Sequence, residues 1–457
     1  MAATTVTLGN SLTGVLLKPH YVAAAVVLNI MLLGAVGWWC WQQLRGAPQW
    51  QRRVLAWALG GRLLVAGLSG LHPSPDVSGF RSYSWAMTRQ LWAFPLDWVH
   101  TMVSNEFRFA DWQMVYHGMS NTFFFLKLLS VVNLFTLGND SATAAYLSLF
   151  AFIGCWQLVR TLARLWPASQ PGAWAAFLLW PSVAFWTSAY TKESVLLGSG
   201  AWLLALVLAA LYGPAARSFW WRMGQVVAIG LLAALHFNMR FFYAAPLLGG
   251  LLALGVAQAL ARAGVGRGRL GQAAVVLAVL AAGAWLVPQV SPAFRLNKFT
   301  NQMVQVYAHH LAASQGRPHF EYPDLVPTAE SALRHLPSAL VNAVVRPLPG
   351  ESKEPKYVAA GLENLMLLLL VGLLLVAWRR GRSLGPLPFA LVLVLGLYCV
   401  AVALLLGLTT PNLGTLNRYR SAMLPFLLLL LLQNEYAAAL LRRLGLGRAE
   451  KPGATPP

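Results

Sequence analysis

Apolar positions run through the chain in long blocks separated by short polar gaps. Twelve blocks can be marked, at 21–41, 54–71, 122–137, 142–160, 172–190, 194–212, 223–237, 241–261, 270–288, 357–378, 384–408 and 421–441. A helix that crosses a bilayer needs about 20 predominantly apolar residues. Most blocks reach that length, and 122–137 and 223–237 fall short. Two polar stretches, 72–121 and 289–356, interrupt the series, and the tail after Arg448 is rich in Pro and Gly. The pattern predicts an all-α polytopic integral membrane protein of eleven or twelve transmembrane helices. It is read as one transmembrane domain over 1–445, followed by a disordered cytoplasmic tail over 446–457. No internal repeat of the transporter kind is visible.

Basic residues choose between the two counts, because cytoplasmic loops collect Lys and Arg. Arg442, Arg443, Arg448 and Lys451 place the C-terminus in the cytoplasm. Twelve crossings would then leave Arg45, Arg52 and Arg53 outside, a poor fit. If 122–137, which carries Lys127, does not cross, the inner gaps become 42–53, 160–171, 213–222, 262–269, 379–383 and the tail. Those gaps hold seventeen basic residues and one acid, Glu450. Eleven crossings with the N-terminus outside are therefore expected. Nearly every polar cluster then falls on the outer face, which suggests one shared outward cavity.

Composition narrows the class. Of 457 residues 58% are hydrophobic and 11% charged, with 34 Lys+Arg against 14 Asp+Glu, a net +20. A soluble chain carries about 25% charge, so soluble, disordered and fibrous classes are excluded. The charge does not imply nucleic-acid binding, since the basic residues lie in the gaps between apolar blocks. Cys40, Cys155 and Cys399 sit inside apolar blocks, with no zinc or disulfide spacing. The first twenty residues lack the basic start and cleavage site of a secretory signal.

Five outer clusters carry candidate chemistry. Asp76 follows Pro73 and Pro75 at the lip of block 54–71, where a fixed carboxylate suits a general base or a helix cap. Beyond it, Trp85, Trp92, Trp98 and Trp112 alternate with charges and predict interfacial helices with Trp facing the headgroups. Lys192-Glu193 joins two apolar blocks with almost no loop. The pair is read either as a phosphate ligand (Lys192) with an orienting acid (Glu193), or as a structural ion pair. Arg240, in HFNMRFFY, suits a phosphate or a snorkelling anchor. Arg346 lies in NAVVRPLPGESKEPKYVAAGLENL, ahead of Glu363, an acid that would favour a helix N-terminus. Arg418 and Arg420, in GTLNRYRSAMLPFL, are read at the start of the final helix, where they oppose its dipole and call for an anion. His309-His310 and His319-Phe320-Glu321 are the only metal-type clusters, so a divalent metal stays open and no cofactor is certain.

The stretches PSVAFWTSAYTKES and GTLNRYRSAMLPFL resemble signatures of a group of bacterial polytopic proteins. That group is in turn similar to the GT-C type glycosyltransferases, which use polyprenyl-phosphate-linked sugars. The resemblance implies a bacterial inner-membrane enzyme with its active site on the outer face. It also implies Asp76 as catalytic base, Lys192 and Glu193 near the donor, and Arg418 and Arg420 facing the lipid phosphate. The sequence departs from that group at Ala189, where Gly is expected, and its acidic loop follows the second apolar block instead of the first.

The function expected is therefore transfer of a sugar from a lipid-linked donor to a glycan, lipid or protein acceptor. Asp76 would be catalytic, with Lys192, Glu193, Arg240, Arg346, Arg418 and Arg420 around the phosphate. A polysaccharide polymerase or ligase, or a lipid-linked-glycan flippase, are the alternatives. Membrane lipids are expected partners and nucleic acid is not.

Overall fold

The computed structural model describes residues 18–118, 120–214, 218–290 and 294–446. The tail expectation, with Arg448, Glu450 and Lys451, lies outside the described residues, as does the region read against a secretory signal up to residue 17. Pro19 at the first helical position, with its φ already set, opens α1 (Pro19–Leu44), and α2 (Gln49–Leu71) follows. The chain falls into two compact units: residues up to Val54 with Ser69–Thr143, and Leu55–Leu68 with the remainder from Ala144.

In the first unit Ser74 caps α3 (Pro75–Ala93) by accepting the Val77 N–H. Next come α4 (Pro95–Val103), an antiparallel hairpin of β1 (Glu106–Phe109) and β2 (Trp112–Val115), and α5 (Asn121–Thr136). Phe107 on the hairpin is fully buried against Ala86 and Met87 of α3 and Phe123 and Leu126 of α5. The short block 122–137 is thus α5, and its lysine has a local purpose. Lys127 Nζ donates to the carbonyls of Met102 and Ser104 at 3.1 and 2.7 Å, groups that the end of α4 leaves without helical partners. Half-buried tryptophans of this unit pair with other aromatic rings. Trp92 stacks on Tyr21, Trp85 packs edge-on to Trp92, and Trp112 packs edge-on to Tyr83. Exposed apolar side chains of this unit include Phe94, Leu96, Val99 and Val103 on and beside α4, and Ile30, Met31 and Trp38 on α1.

The second unit continues with α6 (Asp140–Leu165), α7 (Gln170–Trp174), α8 (Pro181–Trp186), α9 (Lys192–Tyr212) and α10 (Phe219–Met239). Then follow α11 (Phe241–Arg262), α12 (Arg269–Val290), α13 (Leu296–Ala312), α14 (Ala329–Val345) and α15 (Pro355–Arg379). The last elements are α16 (Phe389–Thr409), α17 (Leu413–Arg420), α18 (Leu424–Leu431) and α19 (Glu435–Arg443). Across both units eight described helices are long and apolar enough to cross a membrane: α1, α2, α6, α9, α11, α12, α15 and α16. The count becomes nine if α18 and α19, which meet at 98°, form one span. The chain is a multi-pass helical membrane protein.

Two apolar blocks are not the single helices expected. Block 172–190 is α7, a π-helical turn at Ala175–Leu179, an extended Trp180 and the six-residue α8. Pro181 cannot donate a backbone hydrogen bond and breaks the run. Charged side chains hold both ends of α8. Glu363 of α15 accepts the Ser182 N–H at 2.8 Å. Arg62 of α2, fully buried, donates to Thr187 Oγ1 at 2.8 Å and to the Phe177 carbonyl at 3.1 Å. An acid at the N-terminus and a cation at the C-terminus both favour the helix dipole. Block 421–441 is also divided, because Asn434 caps α19 by accepting from the Tyr436 and Ala437 N–H groups and so starts a new helix.

Helices α9 and α10 run antiparallel, tied by three side-chain bonds along their length. Glu193 meets Arg240, Ser199 meets His236 at 3.0 Å, and Gln225 donates to the Leu206 carbonyl at 2.9 Å. Helix α6 crosses α9 where two glycines face each other. A Cβ on Gly154 would meet the Gly198 carbonyl oxygen at 2.1 Å, and one on Gly198 would meet Phe150 and Ala151 at 2.8–2.9 Å. Close backbone approach through small residues is how membrane helices associate. Gly198→Val is expected to lower stability by about 1–3 kcal/mol through overpacking. An unchanged thermal midpoint in detergent, with a monodisperse elution profile, would refute the crossing.

Candidate functional site

Five helix ends of the second unit converge on one carboxylate. Glu193 sits in the first turn of α9, buried, where the dipole favours an acid. Arg240 is the single extended residue (φ −159°, ψ 98°) between α10 and α11, so its side chain leaves the joint of two helices. Its Nη2 donates to Glu193 Oε1 at 2.7 Å, with both side chains at least nine-tenths buried. The Arg240 guanidinium also lies 3.9 Å from the centre of the Tyr419 ring, a cation–π distance. Tyr243 Oη, one turn into α11, donates to the Tyr419 carbonyl at 2.8 Å and fastens α17 against α11.

Around this pair stand further charges. Arg418 of α17 lies 5.2 Å from the Tyr419 ring. Burial disfavours its cation, and the Glu193 carboxylate together with Tyr419 more than offsets that, so its pKa ends above the usual arginine value. Lys192 is half-buried next to Glu193. His310, in the last turn of α13, makes an edge contact with Tyr419 at 6.2 Å. Its burial, then His309, Arg240 and Arg418, push its pKa below the ordinary imidazole value. Lys192, Arg240 and Arg418 thus surround one acid, an excess of two positive charges. Nη1 of Arg240 is buried without a hydrogen-bond partner among the described residues.

Arg346 and Arg420 are engaged elsewhere, and the expected helix position of Arg418 and Arg420 is not the one observed. Arg418 and Arg420 do not begin a helix. Asn412 caps α17 by accepting the Thr415 N–H, so both arginines fall in its last turn, where cations suit the dipole. The earlier dipole reading is therefore reversed: the break at 421–423 precedes α18, and α17 is a separate element. Arg420 is fully buried and works as a clamp. Its Nη1 donates to the carbonyls of Ala343, Val344 and Arg346 at 3.0–3.3 Å, groups left open by the end of α14. Its Nη2 donates to Asn364 and Asn417 at 2.8 and 2.9 Å. Arg346 Nε donates to Glu351 at 2.8 Å. Glu363 is the partner of α8 and not the dipole acid of its own helix. Asp76 belongs to the first unit, exposed in the first turn of α3, and the cap there is Ser74.

His319 Nδ1 donates to the Arg317 carbonyl at 2.7 Å, and its Nε2 lies 2.9 Å from Glu321 Oε1. It pairs with Asn412 as an isolated bridge, which fastens the second long polar stretch to the start of α17. Among the described residues no three His, Cys, Asp or Glu side chains group as a metal site. Tyr243, Tyr419 and His310 complete the cluster and were not singled out for it from the sequence. In the sequence His310 carries only the signal of a possible metal ligand, and Arg62 that of a lone arginine inside an apolar block. No protein family, curated protein or solved structure matches the chain.

Two outcomes follow. Glu193→Gln leaves Arg240 buried without its counter-charge and is expected to lower stability by about 3–5 kcal/mol; a thermal midpoint equal to wild type would contradict the pair. His310 binds its proton less readily folded than unfolded, so it contributes stability above the ordinary imidazole pKa of about 6.5 and loses it as pH falls below that value. His310→Gln should flatten the fall in thermal midpoint between pH 7 and 5, measured in one detergent at constant salt. An identical fall in both proteins would show that His310 is not responsible.

Proposed function

We propose that the chain is a membrane glycosyltransferase that moves a sugar from a polyprenyl-phosphate donor to an envelope acceptor. It would work on the outer face of a bacterial inner membrane, in a layout of eleven crossings with the N-terminus outside. The observation that carries the reading is the excess of buried cations around Glu193, with Arg240 Nη1 left unpartnered. Such a site is built for a phosphate, because preorganised donors stabilise charge on a leaving group most effectively away from water. The two-stretch resemblance to the GT-C type enzymes points the same way.

In this reading Arg240, Arg418 and Lys192 hold the donor phosphate, and Glu193 keeps Arg240 charged and aimed. A base, the role that the resemblance gives to Asp76, takes the proton of the acceptor hydroxyl as its oxygen attacks the anomeric carbon. The bond from that carbon to the phosphate oxygen breaks, and the lipid phosphate leaves with the electron pair, inverting the centre. Arg420 and Arg346 act behind the site by fastening α17 to the end of α14, since both Nη groups of Arg420 are already engaged there.

Transfer from radiolabelled polyprenyl-phosphate sugars in membranes tests the assignment. Asp76→Asn is expected to lower transfer at least 10²-fold with donor retention and folded yield unchanged. Arg418→Gln is expected to weaken donor retention. Full activity of the Asp76 variant would remove it as the base, and full retention by the Arg418 variant would remove the phosphate site. A polymerase or ligase is favoured by one feature: His310, from the long stretch between α12 and α15, stands against Tyr419. It would be distinguished by products that carry many repeating units instead of one added sugar.

A further inference from the structure

A second concentration of charge lies in the same unit, at the end of α15 and along α19. Arg379, Arg380 and Arg382 leave the C-terminus of α15, and all are exposed. Arg380 Nη1 reaches Tyr436 Oη at 3.5 Å, Arg382 lies 3.6 Å from Glu435, and the Glu435 N–H donates to the Ser383 carbonyl. The turn after α15 is therefore seated on the first turn of α19. At the other end of α19 are Arg442 and Arg443, also exposed. Five arginines face one acid, Glu435.

The shape of α19 says where these charges work. It leaves α18 at 98° and so cannot continue along that axis. Ala437, Ala438 and Leu441 are buried against the protein, while Leu440 and Leu444 are exposed at 48% and 71%. Trp378, at the end of α15, is exposed at 64%. A helix turned sharply from its predecessor, with exposed leucines, a neighbouring tryptophan and arginines at its end, has the features of an interfacial element, apolar side in the acyl region and cations at headgroup level.

We infer that the α15–α16 turn and α19 form a binding face for anionic phospholipid headgroups. The arginines meet the lipid phosphates, and Leu440, Leu444 and Trp378 meet the chains. Charge complementarity commits the occupant: a neutral leaflet would leave an excess of four positive charges at the low-dielectric boundary, and an anionic one neutralises it. The face is made of residues separate from the Glu193 cluster.

The test uses the purified full chain in a neutral detergent. Short-chain phosphatidylglycerol, short-chain phosphatidylcholine and inorganic phosphate are each titrated while the thermal midpoint is followed. Phosphatidylglycerol is expected to raise the midpoint saturably, and the other two to leave it within error. The combined variant Arg380→Gln, Arg382→Gln, Arg442→Gln and Arg443→Gln should lose the rise, and Arg418→Gln should keep it. An equal rise with phosphatidylcholine or with phosphate, or a rise that survives in the combined variant, would overturn the inference. So would a rise lost in Arg418→Gln alone, which would assign it to the other cluster. If the combined variant does not fold, native mass spectrometry of the wild type decides: equal retention of the two lipids contradicts the inference, and preferential retention of phosphatidylglycerol that falls with added salt supports it.

Discussion

A carboxylate and a guanidinium 2.7 Å apart, both shut away from solvent, tie the start of α9 to the joint of α10 and α11. Neither charge could be buried alone, because desolvating one ion costs several kcal/mol. Pairing removes most of that penalty and fixes two helix ends relative to each other. The same guanidinium then lies on Tyr419, whose carbonyl accepts from Tyr243, so α17 is fixed as well. Arg418 and His310 take their positions, and their electrostatics, from this arrangement.

Broken helices create the need that the other buried arginines meet. Each break in an apolar setting opens carbonyls that water cannot reach, and these must find donors within the protein. Arg62 answers the π turn before α8, and Arg420 answers the end of α14. Both are clamps whose Nη donors reach acceptors in the protein, while the Nε of each is buried without one among the described residues. Arg240 likewise keeps one buried donor, Nη1, without an acceptor among those residues. What sets it apart is its company, since Lys192 and Arg418 share the same acid with it.

Much of this was legible as polar residues at the edges of apolar blocks. Lys192-Glu193 and Arg240 stand out because a charge between two spanning segments is costly, and the structure brings them together. The roles of Arg418 and Arg420 were not legible. Their meaning depends on which end of a helix they occupy, and Asn412 starts α17 only one residue before Leu413, far enough upstream to place both in its last turn. Hydropathy also joined segments that one proline or one asparagine cap divides, as at Pro181 and Asn434. The hairpin of β1 and β2 is four residues a side and carries too little pattern to be seen among aromatic residues that serve helices and strands alike.

Direct binding of a polyprenyl phosphate without its sugar tests the central claim, because it asks only whether the Glu193–Arg240–Arg418 cluster holds a lipid-borne phosphate. Titration into purified wild type and Arg418→Gln, each shown to be folded by its thermal midpoint, gives the comparison. The account predicts saturable binding to the wild type and at least about tenfold weaker binding to the variant, the loss expected for one charge-assisted contact of about 1.4 kcal/mol or more. Equal affinity of the two folded proteins would contradict it.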